Sequence, residues 1–318
     1  MIRVIREKRS GRFTLCLKAL LAVGLVVLIA TGCGSRSSIQ IVDTHIHLYD
    51  TSRPEGVPWP PESDKVLFRP VLPPDFARVC EENEISATVI VEASSLLADN
   101  QWILDLVKDE PERYVGLVGS LEIGAPEFAA NLKQLSSDPR FVGIRMRERP
   151  RSDNFFNDAV WRDLKLLADM DQTLDVLMFE FSIQDVDRIA QKIPNLKILI
   201  NHVAGADIDG KTVDSVWADD LAKAASSPNV YCKVSGLFQQ SHQQPSPTNL
   251  TFYRPVLEEL WNVFGEDRLV YGSNWPVTMR GGSYADYKAV VIEFLEPKGK
   301  SAMEKILGGN AYKFYGLK

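Results

Sequence analysis

Ile39-Gln40-Ile41-Val42-Asp43-Thr44-His45-Ile46-His47 is a short run rich in β-branched residues that ends in two histidines separated by one residue. Such residues pack well on a pleated surface, so the run reads as a strand. Seven more runs of this kind follow: Ser86–Ala93, Tyr114–Leu121, Phe141–Arg147, Leu174–Glu180, Leu196–His202, Asn229–Ser235 and Arg268–Asn274. Between them apolar residues recur at helical spacing, as in Trp161, Leu164, Leu167, Ala168 and in Val256, Leu257, Leu260, Trp261, Phe264. Pro73 and Pro74 precede the first helix, Asp185 opens another, and Pro194-Asn195 ends it just before a strand. Strand then helix, repeated, means parallel strands covered by helices. Eight such units fit an α/β fold of the (β/α)8 TIM-barrel type better than an open doubly wound sheet or a seven-strand variant.

Of the four histidines in the chain, His45, His47 and His202 fall at the C-terminal ends of predicted strands. Alternation along a strand puts His45 and His47 on one side, about 6–7 Å apart, where two imidazoles can clasp one metal ion or one substrate oxygen. Two long irregular stretches, Tyr49 to Pro73 and Gln239 to Asn249, follow predicted strands one and seven. In a barrel that address is the active-site face, and such loops act as lids or pocket walls.

The chain has 318 residues, 45% of them hydrophobic and 25% charged, with four cysteines and a net charge of −6. These values suit an ordinary globular protein and exclude a disulfide scaffold, a structural zinc ribbon and a basic groove for nucleic acid. The N-terminus departs from this average. Arg3, Arg6, Lys8, Arg9, Arg12 and Lys18 stand against Glu7 alone, and the apolar-or-glycine run Ala19–Ala30 follows. At 12 residues that run is shorter than the about 20 a spanning helix needs, and it suits the core of a signal peptide. Ala30-Thr31-Gly32-Cys33 resembles a bacterial lipobox. The expected organisation is a lipoprotein signal peptide at 1–32, a lipidated Cys33 with a polar tether at 33–38, and a barrel domain at 39–318. Export and anchoring to a bacterial membrane, facing the periplasm or the exterior, would follow.

Ile41-Val42-Asp43-Thr44-His45-Ile46-His47, Gly143-Ile144-Arg145, Asn201-His202, Val230 to Gly236, Tyr271-Gly272-Ser273-Asn274-Trp275-Pro276-Val277 and Gly309-Asn310-Ala311 occur in that order. Together they resemble the amidohydrolase superfamily, and more narrowly its amidohydrolase-related branch, which contains sugar and aromatic-acid lactonases. The resemblance runs from about Ile39 to Leu317. It implies a barrel of the metal-dependent-hydrolase type whose site uses the strand-one histidine pair, a strand-six histidine and a strand-eight aspartate. Carried over, these are His45, His47, His202 and the position of Asn274. The last is a departure, because the family's Gly-Ser-Asp-Trp-Pro reads Gly272-Ser273-Asn274-Trp275-Pro276 here. A carboxylate can take a proton from water and a neutral amide cannot.

The implied reaction is water attack on a small-molecule lactone or related cyclic ester. A metal held by His45, His47 and His202, zinc first among candidates, would lower the pKa of its water and leave Asn274 to orient it. A metal-free site is the alternative, with another carboxylate as base: Glu180 first, then Glu92 or Glu122. Arg145 offers a planar fork to an anionic or hydroxylated substrate or, equally, to a barrel glutamate. Tyr49, Trp59 and Trp275 are candidates for stacking on a substrate ring at the mouth. Lys233 and Ser235 end predicted strand seven and are candidates for reaching the pocket, while Cys80 and Cys232 read as buried small hydrophobes. Two other classes remain: a binding barrel that has lost its base, and a decarboxylase using similar histidines. Oligomeric state is not legible in the sequence.

Overall fold

The structure, a computed structural model, describes residues 39–147, 155–179 and 181–318. The expected leader, Cys33 with its tether, and Glu180 lie outside the described residues. Residues from Ile39 to Lys318 form one compact unit.

Eight strands make a parallel sheet in sequence order: β1 (Val42–Ile46), β2 (Ala87–Val91), β3 (Tyr114–Gly119), β4 (Phe141–Met146), β5 (Thr173–Val176), β6 (Ile198–Ile200), β7 (Val230–Val234) and β8 (Leu269–Tyr271). Each lies within or against a predicted run but is shorter. The functional side chains lie on the last residues of the strands and just beyond them. Helices such as Pro73–Asn83, Ile183–Lys192 and Leu250–Phe264 follow the strands and cover the sheet. Ser182, not Asp185, caps Ile183–Lys192: its hydroxyl accepts from Asp185 N–H while the Asp185 carboxylate accepts from Ser182 N–H, a reciprocal capping box.

The barrel is brought nearly closed between its last and first strands. Ile46 bridges Trp275 in parallel, His47 N–H donates to Trp275 C=O at 2.9 Å, and Asn274 N–H donates to His45 C=O at 2.8 Å. The seam is stapled by the buried Asp43 carboxylate. It accepts from the backbone N–H of His45 at 3.0 Å and of Ser273 at 2.9 Å, and from the Tyr284 hydroxyl at 3.0 Å. Burial raises the Asp43 pKa, and these donors oppose the rise. Closure therefore places His45 at the end of β1, and His47 just beyond it, against the Asn274 segment.

Two apolar clusters divide the core. The larger lies between sheet and helices, and the smaller gathers Val42, Val89, Val118, Leu199, Tyr231 and Val270 with Phe314 of the C-terminal helix Asn310–Tyr315. Strand residues from all round the sheet meet in the smaller cluster, so it fills the lumen. Polar side chains occupy the lumen above it.

Candidate active site

The first polar layer is an ion pair. Lys233 on β7 and Asp175 on β5 have side chains with 0% exposure and meet at 2.7 Å. Lys233 Nζ also donates to Thr44 C=O at 2.9 Å and to the Tyr315 hydroxyl at 3.1 Å, and Tyr315 donates onward to Asp175 at 2.9 Å. Three ammonium N–H groups thus have three partners. The 3.5 Å approach of Nζ to His45 Nδ1 is then a contact of charge. Burial lowers the Lys233 pKa, and the Asp175 carboxylate pulls it back up.

Three imidazoles lie above. His45 and His47 meet edge to face with ring centroids 5.0 Å apart, and His45 and His202 lie 4.5 Å apart. β1 carries a register irregularity between Asp43 and Ile46, which sets the angle between the histidine pair. His202 is reached by a different device. It and the next two residues, Val203 and Ala204, have φ of 53°, 45° and 54°, a left-handed run of non-glycine residues. Such a run is costly, and strain of this kind concentrates at functional positions. β7 holds the ring in place: Ser235 Oγ bonds His202 Nδ1 at 2.9 Å and accepts its backbone N–H at 3.2 Å. Gly236, at φ +70°, leaves the ring its room, since a Cβ there would stand 2.9 Å from His202 Cβ, Cγ and Nδ1.

Burial is the largest influence on all three histidines and favours the neutral ring. Arg145 adds to it at each of them, and Lys233 at His45 and His202, so His45 and His202 titrate well below the usual 6.5 and His47 is pushed down to about 3. His47 bonds Val91 C=O through Nδ1 at 3.0 Å and faces Asn274 Oδ1 through Nε2 at 3.2 Å. His45 Nε2 is buried with no hydrogen-bond partner among the described residues. Asn274, itself left-handed at φ 61°, donates from Nδ2 to Gln239 Oε1 at 3.4 Å.

The other expected residues divide. Arg145 Nε pairs with Glu92 Oε1 at 2.7 Å and its Nη2 donates to Glu92 C=O at 2.8 Å, so the barrel-glutamate partner is realised. Glu92 also stands 3.5 Å from Arg147, which ties it into a cationic cluster and removes it as a free base. Glu122 is exposed outside the histidine cluster. Trp59 stands at the mouth, edge-on to His47 at 5.5 Å and to Tyr49 at 5.4 Å. Tyr49 is buried with its hydroxyl on Leu67 C=O, and Trp275 is buried against Phe76 at 5.1 Å. Both therefore serve as wall, not as ring platforms at the mouth. Cys80 and Cys232 are free and buried as expected, and burial pushes the Cys80 thiol up to about 12.

Sequence reasoning missed Arg53 and Trp102. They help line a narrow recess of about 20 Å³ with Tyr49, Trp59 and Glu92, and Arg53 lies 4.5 Å over Trp102 while pairing with Asp99 at 2.8 Å. Arg53 and Trp59 both sit in the long loop after β1, whose position over the mouth was the available signal.

Among the described residues, no group of three or more His, Cys, Asp and Glu side chains is arranged to hold a metal ion. The three-histidine set does not stand by itself. The donors that do face each other are His47 Nε2 and Asn274 Oδ1, and the His45 ring, whose Nε2 has no partner among the described residues, lies 5.0 Å from the His47 ring between centroids. Two imidazoles and an amide oxygen fit a divalent ion of borderline softness.

A family model described as amidohydrolase matches residues 42–317. An L-fucono-1,5-lactonase of Burkholderia ambifaria is 27% identical over 283 residues, covering 86% of this chain and 94% of that protein. The crystal structure of an amidohydrolase from Burkholderia multivorans with bound HEPES superposes with a TM-score of 0.77 at 23% identity, over 88% of this chain and 100% of that one. A second crystal form with bound zinc gives a TM-score of 0.76 at 23% identity, with the same coverage.

Proposed function

This chain belongs to the amidohydrolase family, and on that footing we propose that it is a lactonase, opening a sugar-derived lactone or related cyclic ester by attack of water. The observation that carries the reading is the partnerless His45 Nε2 beside the facing acceptors of His47 and Asn274, at the C-terminal end of a nearly closed barrel. A buried polar atom left without a protein partner is completed by a ligand, an ion or water, and here it sits in the imidazole cluster where a ligand would enter. The lactonase relative at 27% identity points to the ester class.

His45, His47 and Asn274 would hold the divalent ion, zinc by likeness to the Burkholderia structure. When bound, such an ion polarises a carbonyl and makes water more acidic. The chain's own residues do the rest. Trp59 gives the substrate ring an aromatic edge at the mouth. The Arg145 charge, felt at all three imidazoles, stabilises negative charge building on the carbonyl oxygen. Water adds to the carbonyl carbon, the ring C–O bond breaks, and the ring oxygen leaves as a hydroxyl carrying a proton. Asn274 orients the water and has no state that accepts its proton. We assign that role to Glu180. The leader at 1–32 and lipidation at Cys33 belong to the same proposal and would hold the enzyme at a membrane outside the cytoplasm.

The test is acid release from a panel of 1,4- and 1,5-lactones of sugar acids, alongside simple esters and hydroxybenzoates, with zinc supplied. Turnover of at least one lactone, reduced by Glu180→Gln, is expected. Inertness toward every lactone, with sugar acids still raising the melting temperature, would make the protein a binding barrel instead.

A further inference from the structure

The polarity of Asn274 is decided outside the histidine cluster. Val277 C=O can only accept, and it takes the Gln239 Nε2–H at 2.9 Å. That commits Gln239 Oε1 to the Asn274 side, where it accepts from Nδ2 at 3.4 Å. Asn274 is left with Oδ1 turned toward His47 Nε2 at 3.2 Å. From the opposite direction Val91 C=O, again an obligate acceptor, takes His47 Nδ1–H at 3.0 Å. A neutral ring with its proton on Nδ1 has a lone pair at Nε2. Two backbone carbonyls, one at each end of the relay, therefore drive two acceptors to face each other, with the buried, partnerless His45 Nε2 alongside. Facing lone pairs with no proton between them are unfavourable, and a cation relieves them.

We propose that Gln239 is a positioning residue that turns the Asn274 amide into an oxygen ligand, so that this chain holds a divalent cation through neutral donors at the place where its family carries a carboxylate. The proposal deepens the hydrolytic reading by naming how the departure at strand eight is compensated. Its test reads binding, so it stands or falls whether or not a lactone is the substrate. Gln239 lies in the chain that follows β7, just past Gly236. The loop after one strand thus sets the chemistry at the end of the next. Ion affinity is expected to be modest, because no anionic ligand contributes.

The experiment is a cobalt(II) titration of the chelator-stripped full chain, followed by its visible absorption bands, with zinc measured by competition. Wild type is expected to take up one ion per chain. Asn274→Leu removes the oxygen, and Gln239→Leu frees the amide to present its NH2 group; each is expected to weaken binding by about tenfold or more. The decisive comparison uses the Asn274→Asp background. A carboxylate offers an oxygen whichever way it turns, so there affinity rises and Gln239→Leu has no further effect. Should Gln239→Leu fail to fold by circular dichroism, Gln239→Ala carries the same expectation. Absence of cobalt binding in wild type would overturn the proposal. So would undiminished binding in Asn274→Leu, or an equal loss from Gln239→Leu in both backgrounds.

Discussion

Two polar layers are stacked in one barrel, and they are finished to different degrees. In the lower, Lys233 has a partner for each ammonium N–H, and Asp175 takes bonds from Lys233, Tyr315 and Asn201. In the upper, His45 Nε2 has no partner and the acceptors of His47 and Asn274 face one another. Both layers are buried, so exposure does not distinguish them. Completion does: in the lower layer both charged groups are matched, although Asn201 Oδ1 has no partner among the described residues, whereas the upper layer leaves acceptors facing one another that an ion, a ligand or water would satisfy.

If that contrast is sound, damage to the lower layer should appear as lost stability. Lys233→Met leaves Asp175 charged and unpaired in the lumen and is expected to cost about 3–5 kcal/mol in urea unfolding. The double variant Lys233→Met/Asp175→Leu should recover much of it, and equal losses in single and double would break the contrast.

Acid should reveal the upper layer's bias toward neutral rings. The folded-state pKa values of all three histidines lie below 6.5, that of His47 at about 3, so between those values the unfolded chain binds more protons. Their contribution is present above about pH 6.5 and is lost as pH falls toward 3. Between pH 7.5 and 5.5 the expected loss is about 1 kcal/mol for each histidine, read from urea midpoints. Identical midpoints would mean that the rings are charged in the fold.

Gly236→Ala sharpens the comparison further. The new methyl meets the His202 ring, and a left-handed φ of +70° disfavours alanine. A loss of about 2 kcal/mol is expected together with weakened turnover. Ser235→Ala is the mildest change, removing the hydroxyl from His202 Nδ1 at about 1 kcal/mol. A drop in melting temperature with unchanged turnover would show that Ser235 serves only the fold.

All eight strands were legible because β-branched runs alternate with helical spacing, and the histidines were legible because they sit where those runs end. Their lengths were overestimated because the runs were carried on to polar residues such as His47 and Asn274, which are buried at the mouth after the hydrogen-bonded ladder has stopped. What the sequence concealed depends on closure. Lys233 and Asp175 come from strands separated by β6, and Arg145 meets Glu92 from two strands away. Trp275 reads as a mouth aromatic because it follows Asn274, yet the turn buries it against Phe76. Gln239 carries no signal of its own. Its place comes from the path of the loop after β7, fixed by its backbone N–H on Gly236 C=O and its side-chain bond to Val277 C=O.

The central claim is that the upper layer is the reaction centre, and His45→Ala tests it most directly. Lactone turnover and melting temperature should be measured on the same preparations of variant and wild type. The expected result is a fall in kcat/KM of at least about 100-fold with the melting temperature held within a few degrees, as when a group acting on the transition state is removed. A variant that turns over lactone as fast as wild type would contradict it.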